Sequence, residues 1–268
     1  SNIAYSALIK AKLDNPENKL RFAFINFTDM SRTNRVNVLS TRYYSPSNAK
    51  LFINTLANTL MKNLEPSWKE KSDFWSANAI NFVSSVMYLL YKNHSKEGYN
   101  TLPHAISICL SPIDDIFNWL SKDDEIDKTM APMISAYKLQ ASQQTAGAVS
   151  SAQLPLTLLY NPYIYWVLSS DDLSLDVTNA KQPTILCLGN CPEITPATSP
   201  AISSIVSVVM AQMNNPGKQK SIFCIDELPR IIIANLDGFI ATARKHNVSI
   251  ILAIQDFMQL VRDYGDKS

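Results

Sequence analysis

Apolar residues along this chain fall into two alternating kinds of run: short unbroken ones that stop at polar residues, and longer stretches with apolar positions at helical spacing. Ser221-Ile-Phe-Cys-Ile-Asp226-Glu227-Leu-Pro229 and Val248-Ser-Ile-Ile-Leu-Ala-Ile254-Gln255-Asp256 are of the first kind. Between them Leu236, Phe239, Ile240 and Ala243 keep the helical period from Asn235 to Lys245. The pattern predicts strand, helix, strand. A crossover of that length joins parallel neighbours, so Asp226, Glu227 and Gln255 are expected together at one edge of a sheet. Ligands of open α/β sheets bind at that edge.

The rest of the chain extends the pattern. Leu20 to Phe27 is apolar on both faces, as a buried parallel strand is, and stops at Thr28-Asp29; Pro183 to Leu188 stops at Gly189-Asn190. Parallel strands are therefore expected near 21–27, 184–188, 221–226 and 248–254. Ser45-Pro46 predicts a capped helix start, with Ala49, Phe52, Ile53, Leu56, Ala57 and Leu60 packing on the sheet. Pro200 to Met213 predicts a second helix, with Ile202, Ile205, Val206, Val209 and Met213 inward.

From Asp73 onward the character is helical. Trp75, Ala79, Phe82, Val83, Val86 and Leu90 mark one amphipathic helix, and Ser111-Pro112 opens another with Asp114 after its cap. Gln140, Gln143, Gln144 and Gln153 give the next stretch amides and little charge, fitting a solvated face or a partner surface. Tyr160, Tyr163, Tyr165 and Trp166 read as packing, because no basic residue interleaves with them to suggest base stacking. The simplest organisation is an all-α insertion in a parallel α/β domain: residues 1–72 form its first part, 73–150 the insertion, and 151–268 its second part.

Composition narrows the function. The 268 residues are 46% hydrophobic, enough for a sizeable core, and the net charge of +1 excludes a broad field for nucleic acid. Cys109, Cys187, Cys191 and Cys224 do not form a metal set, since the only close pair is Cys187 and Cys191 and no His lies near it in sequence; Cys187 and Cys224 read as small core residues, and reduced thiols are expected. No apolar run approaches the length of a membrane span, and no signal peptide is expected within these residues. Ser1-Asn2 reads as a cloning remnant, and the helix-like Ile3 to Leu13 begins without a preceding strand, so the chain reads as one cut within a domain.

An apolar strand ending in Asp-Glu is the Walker B pattern of P-loop NTPases, where the Asp joins the Mg²⁺ shell and the Glu polarises water. The same two acids can also simply face water or cap the next turn, and both readings stand on the pattern alone. A Walker A loop is absent: Gly217-Lys218 has Gln212 at the first loop Gly position and Gln219 in place of the Ser or Thr.

Six stretches stand out together: Ile25-Asn-Phe-Thr-Asp-Met-Ser-Arg-Thr-Asn-Arg-Val-Asn37, Asp73-Phe-Trp-Ser76, Gln212-Met-Asn-Asn-Pro-Gly-Lys218, Cys224-Ile-Asp-Glu-Leu-Pro229, Ile240-Ala-Thr-Ala-Arg244 and Gln255-Asp-Phe-Met-Gln-Leu260 with Tyr264-Gly265. In combination they resemble the TraG-like type IV coupling proteins of conjugation and type IV secretion, most closely the form on conjugative transposons of Bacteroides-type bacteria. The resemblance implies a RecA-like fold with an all-α insertion. It also implies a longer parent with N-terminal transmembrane helices and a Walker A loop, of which this chain is a central fragment.

Residue by residue, it implies that Asp226 contributes to Mg²⁺ binding, Glu227 activates water and Gln255 senses the γ-phosphate. Arg244 would serve the neighbouring subunit's site, although a basic residue in a helix's last turn is also favoured by the helix dipole. The parent would be a hexameric ATPase of the bacterial inner membrane, with this part cytoplasmic. It would use ATP and Mg²⁺ to couple DNA and its relaxase to the type IV secretion channel. The fragment itself is expected to bind no cofactor and to be monomeric and inactive. Alternatives are a substrate-recognition module that docks relaxase or DNA through its helices, and another RecA-like DNA pump.

Overall fold

The structure is a computed structural model that describes residues 6–7, 9–10, 19–69, 73–139 and 142–264. Ser6, Ala7, Ile9 and Lys10 are helical; the remainder of the helix expected from Ile3 to Leu13 lies outside the described residues, as do Gln140, the side chains of Gln143 and Gln144, and Gly265. In chain order the elements are β1 (Arg21–Ile25), α1 (Ala49–Leu64), α2 (Phe74–Asn93), α3 (Leu102–Cys109), α4 (Ile113–Leu120), α5 (Asp124–Thr129), α6 (Ala131–Lys138), α7 (Ser142–Leu156), α8 (Pro162–Leu168), β2 (Thr184–Leu188), α9 (Thr195–Met213), β3 (Ser221–Ile225), α10 (Leu236–Ala243), β4 (Val248–Leu252) and α11 (Phe257–Tyr264).

The chain divides into two units: Ser1–Val36 with Asp171–Ser268, and Asn37–Ser170. The helical unit therefore begins earlier and ends later than the expected 73–150. The reason lies in α1, whose apolar stripe of Ile53, Leu56, Ala57 and Leu60 is buried against α2 and α7 instead of serving the strands. At the other end α8 packs on α3 and extends the helices past residue 150.

In the α/β unit all strands expected from the sequence are present and pair in parallel, β1 with β2 and β3 with β4. They make two two-stranded sheets instead of one. The far edge of β1 is closed by the residues that follow it: the Asn34 N–H donates to the Phe24 carbonyl at 2.8 Å, and the Asn34 side chain accepts from the Phe24 N–H at 3.0 Å. Thr33 Oγ1 takes the Asn26 N–H in the same way. The outward N–H and carbonyl of Phe24 are thus taken within the chain and offer no ladder bond to another strand.

The two-faced burial expected of these strands holds on one side of β3 and β4 only. Phe223 and Val248 are buried, and Phe223 meets Phe239 of α10 edge to face at 5.3 Å. Ile222 and Ile251 are 68% and 52% exposed, and Cys224, expected in the core, is exposed beside them.

Helix α9 starts at Thr195, earlier than expected, and carries Pro200 in its second turn. That Pro removes only the N–H that would reach Pro196. The helix is buried nearly all round, and its serines fit because their hydroxyls find carbonyls: Ser203 to Ser199, Ser204 to Pro200 and Ser207 to Ser203 one turn back, and Ser199 to Arg230 outside the helix.

In the helical unit α2 runs from Asp73, whose carboxylate accepts from the Ser76 N–H while Ser76 Oγ accepts from the Asp73 N–H. This capping box accounts for Asp73 and Ser76 of the Asp73-Phe-Trp-Ser76 stretch. Ala79, Phe82, Val83, Val86 and Leu90 are buried as the period predicts, whereas Trp75 stays 40% exposed over Gly147. Two expected caps differ. Ser45 lies in the turn before α1, with its hydroxyl on Ser47, and Ser111 turns its hydroxyl back to the Ser107 carbonyl.

Candidate functional site

Parallel pairing of β3 and β4 runs from Ser221 opposite Val248 to Ile225 opposite Leu252. The ladder then takes one more step each way: the Ala253 N–H donates to the Ile225 carbonyl at 2.8 Å, and the Leu228 N–H donates to the Ala253 carbonyl at 3.0 Å. The second bond pins the turn after β3 to the end of β4. Asp226 and Glu227 on one strand and Gln255 on the other are thereby held at the same edge, as the crossover argument requires.

Each of these side chains has its own surroundings. Asp226 is exposed and meets no hydrogen-bond or ion-pair partner among the described residues; the same is true of Gln255. Glu227 is partly buried, and its Oε2 accepts from Arg230 Nε at 2.8 Å. Leu228 to Arg230 form a 3-10 turn, whose last carbonyl accepts from the Ser199 hydroxyl of α9 at 3.0 Å. Beyond it, Tyr264 of α11 donates its hydroxyl to the Ile231 carbonyl at 2.7 Å and accepts from the Ile233 N–H at 3.3 Å. The segment after the acidic pair is thus tied to the helix that follows Gln255.

Arg244 is not at this edge. It sits where α10 passes into a short turn, before the left-handed Asn247 (φ 58°) whose carbonyl accepts from the Ser221 N–H at 3.1 Å. That is the amino-terminal edge of β3, so the structure separates Arg244 from Asp226, Glu227 and Gln255 within the chain. Lys218 is at the amino-terminal edge as well, in a pair with Asp176 at 2.6 Å.

The polar residues ending β1 and β2 serve their own loops. Asp29 accepts from the Ser31 hydroxyl and N–H, which hold its carboxyl below the usual carboxylate range, and Asn190 accepts from the Thr198 hydroxyl at 2.7 Å. Arg230, Ser199 and Tyr264 are the contacts that sequence reasoning missed as site residues. Arg230 had a legible signal, since it stands three residues after Glu227.

In the helical unit, Gln153 is not a partner-facing amide: it donates to the carbonyls of Cys109 and Ser111 that end α3. Tyr160, Tyr163 and Trp166, expected to pack, are 66%, 53% and 47% exposed. The short α8 buries only Ile164, Val167 and Leu168. Tyr165 and Trp166 line, with Pro103, His104 and Ser107, a cavity of about 400 Å³ that bears no full charge other than what His104 can carry. Burial holds His104 below its ordinary pKa and so favours its neutral form.

The family model for type IV secretory system conjugative DNA transfer matches residues 17–268. The chain belongs to this family. No curated protein matches it closely enough to count as a relative. Among solved structures it is similar to a bacterial conjugative coupling protein, TrwBdeltaN70 in an unbound form, with a TM-score of 0.68 at 17% identity over 94% of this chain and 54% of that one. The plasmid coupling protein TrwB in complex with ADP and Mg²⁺ gives a TM-score of 0.67 at 17% identity, covering 94% of this chain and 56% of that one. TrwB with a non-hydrolysable GTP analogue gives the same TM-score and identity, with 55% of that chain covered. The chain thus spans about half the length of the solved relatives it matches, and shares with them the fold of a RecA-like P-loop NTPase. Within this conjugative transfer family, the edge that carries Asp226, Glu227 and Gln255 is the candidate site.

Proposed function

We propose that this chain is the central part of a DNA-coupling ATPase, and that Asp226, Glu227 and Gln255 are its contribution to ATP hydrolysis. The observation that carries this reading is the Leu228 to Ala253 bond, which fixes the acidic pair of β3 and the amide beyond β4 at one edge. Family membership and the fold support it.

The donor set fits a hard divalent cation and a phosphate to be cleaved. Asp226 presents an uncommitted carboxylate oxygen pair, the ligand chemistry Mg²⁺ prefers, and would hold the ion through its water shell. Mg²⁺ bound there supplies neutralisation of the charge that develops on the phosphates. Glu227 orients the attacking water and accepts its proton. Water oxygen then bonds to the γ-phosphorus of ATP as the bond to the ADP oxygen breaks, and ADP leaves with the electron pair. Gln255, an amide with both donor and acceptor, reads the γ-phosphate. Arg244, at the opposite edge, would act on the site of a neighbouring copy in a hexamer.

The full-length protein would sit in the bacterial inner membrane with this part in the cytoplasm. It would receive DNA with its relaxase from the relaxosome and pass them to the type IV secretion channel. None of the helices among the described residues is long and apolar enough to cross a membrane.

The reading is tested in the full-length protein by Glu227→Gln. The amide keeps the shape of the side chain and cannot accept the proton, so ATP turnover is expected to vanish while nucleotide binding persists. Unchanged turnover would show that the acid is structural.

A further inference from the structure

We propose that Arg230 is a positioning residue for Glu227, holding one carboxylate oxygen so that the other faces the attacking water. The proposal rests on the hydrolytic reading above and adds a residue to it.

Arg230 Nε donates to Glu227 Oε2 at 2.8 Å, a charge-assisted contact, and no donor among the described residues reaches Oε1. The two residues share one turn, in which the Arg230 N–H also meets the Glu227 carbonyl at 3.3 Å. The turn is anchored rather than loose. Its Arg230 carbonyl takes the Ser199 hydroxyl from the buried helix α9, and its Leu228 N–H is bonded to the end of β4. A guanidinium donates from a rigid plane, so its bond to Oε2 orients the carboxylate more sharply than an ammonium on the same turn would. The Glu227 side chain is 21% exposed and that of Arg230 45%, which places the pair at the rim of the edge, within reach of solvent water.

The consequence for the reaction is one of orientation. A carboxylate rotating about its last torsion presents either oxygen in many directions, whereas one held at Oε2 presents Oε1 in a single direction. Proton transfer from water to Glu227 then goes to Oε1, and the resulting oxygen nucleophile attacks phosphorus as described above. Misplacing a catalytic group by about 1 Å costs rate on the order of tenfold to a hundredfold, so Arg230 acts on the chemical step and not on nucleotide affinity.

The experiment compares steady-state ATP hydrolysis by the full-length protein carrying Arg230→Gln, Arg230→Lys, Glu227→Gln and the double change Glu227→Gln with Arg230→Gln. Arg230→Gln is expected to lower kcat by about tenfold with KM for ATP within about twofold, because the lost contact orients rather than binds. Arg230→Lys should fall between it and the parent, since the charge remains and the rigid plane does not. The double variant should bind ATP as tightly as Glu227→Gln, because a positioning group acts on the chemical step and not on affinity.

A kcat that survives Arg230→Gln, or a loss that appears only in KM, overturns the proposal. So does a double variant that binds ATP clearly more weakly than Glu227→Gln. Should Arg230→Gln fail to fold by its melting curve, Arg230→Lys decides, and full kcat in that variant overturns it. If Glu227→Gln itself leaves turnover unchanged, it is the hydrolytic reading that fails, independently of Arg230.

Discussion

Glu125 shows how one residue of the helical unit gathers charge. Its Oε1 accepts from Lys50 at 3.0 Å, its Oε2 from Lys92 at 3.2 Å, and Tyr88 adds a hydroxyl at 3.3 Å. The Lys50 hydrogen bond does most to hold the carboxyl below its ordinary pKa; burial opposes it, and the Lys92 bond adds to it. A carboxyl depressed in the folded state adds stability above its unfolded pKa of about 4.3, and that stability is lost as pH falls through the folded value. The stability gap between the parent chain and Glu125→Gln in urea melts is therefore expected to narrow as pH drops from about 6 to about 3. A gap that stays constant over this range would mean the carboxylate charge contributes nothing. At the candidate site the residue types were legible at their positions, since Asp226, Glu227 and Gln255 end two apolar runs. Arg230 was legible only as a basic residue three positions after Glu227, because nothing in a pattern of apolar and polar positions says which of several nearby donors a carboxylate meets.

Among the elements, α9 is the one whose sequence and surroundings conflict most on first sight. Ser199, Ser203 and Ser204 are buried in this helix, and the conflict is resolved by hydroxyls that all find carbonyls, those of Ser203 and Ser204 one turn back and that of Ser199 on Arg230. Small side chains also let neighbours approach closely. Ser203→Ala is expected to change stability by less than about 1 kcal/mol, since donor and local acceptor go together and the carbonyl keeps its helical N–H. Ser203→Val adds volume at a fully buried position and should cost about 1–3 kcal/mol. Urea unfolding of both variants checks the pair of expectations, and equal stability would show that the site has room. The start of α2 was readable from Asp73 and Ser76, because a capping box is local. At the starts of α1 and α4 the expected caps Ser45 and Ser111 place their hydroxyls on Ser47 and on the Ser107 carbonyl instead.

For the whole molecule, what the 268 residues can do alone depends on the groups they offer to phosphate. The acidic pair stands at an edge where Lys218 is absent, being held by Asp176 at the opposite edge of β3. No Gly-rich phosphate loop occurs in the sequence, and backbone amides are what such a loop brings to phosphates. Asp226 and Glu227 without a compensating cation repel a nucleotide's charge. Calorimetric titration of the 268-residue chain with a non-hydrolysable ATP analogue and Mg²⁺ is therefore expected to show no binding at micromolar concentrations, and gel filtration a monomer or weak association. Micromolar binding would overturn the claim that the phosphate ligands lie elsewhere in the protein.

What the sequence determined by itself was local or periodic: which runs are strands, where helices carry their stripes, that β3 and β4 are parallel, and that three polar residues emerge at their shared edge. Short-range sterics and the geometry of a helical crossover leave little choice in these matters. Only the tertiary structure decided which apolar face meets which. An amphipathic stripe is equally content against a sheet or against other helices, so the sequence of α1 could not say that it belongs with α2 and α7. Nor could alternation within β3 reveal that Phe223 would be covered by Phe239 while Ile222 on the other face stays open. Burial is a property of the pair of surfaces, and one sequence segment carries only half of it.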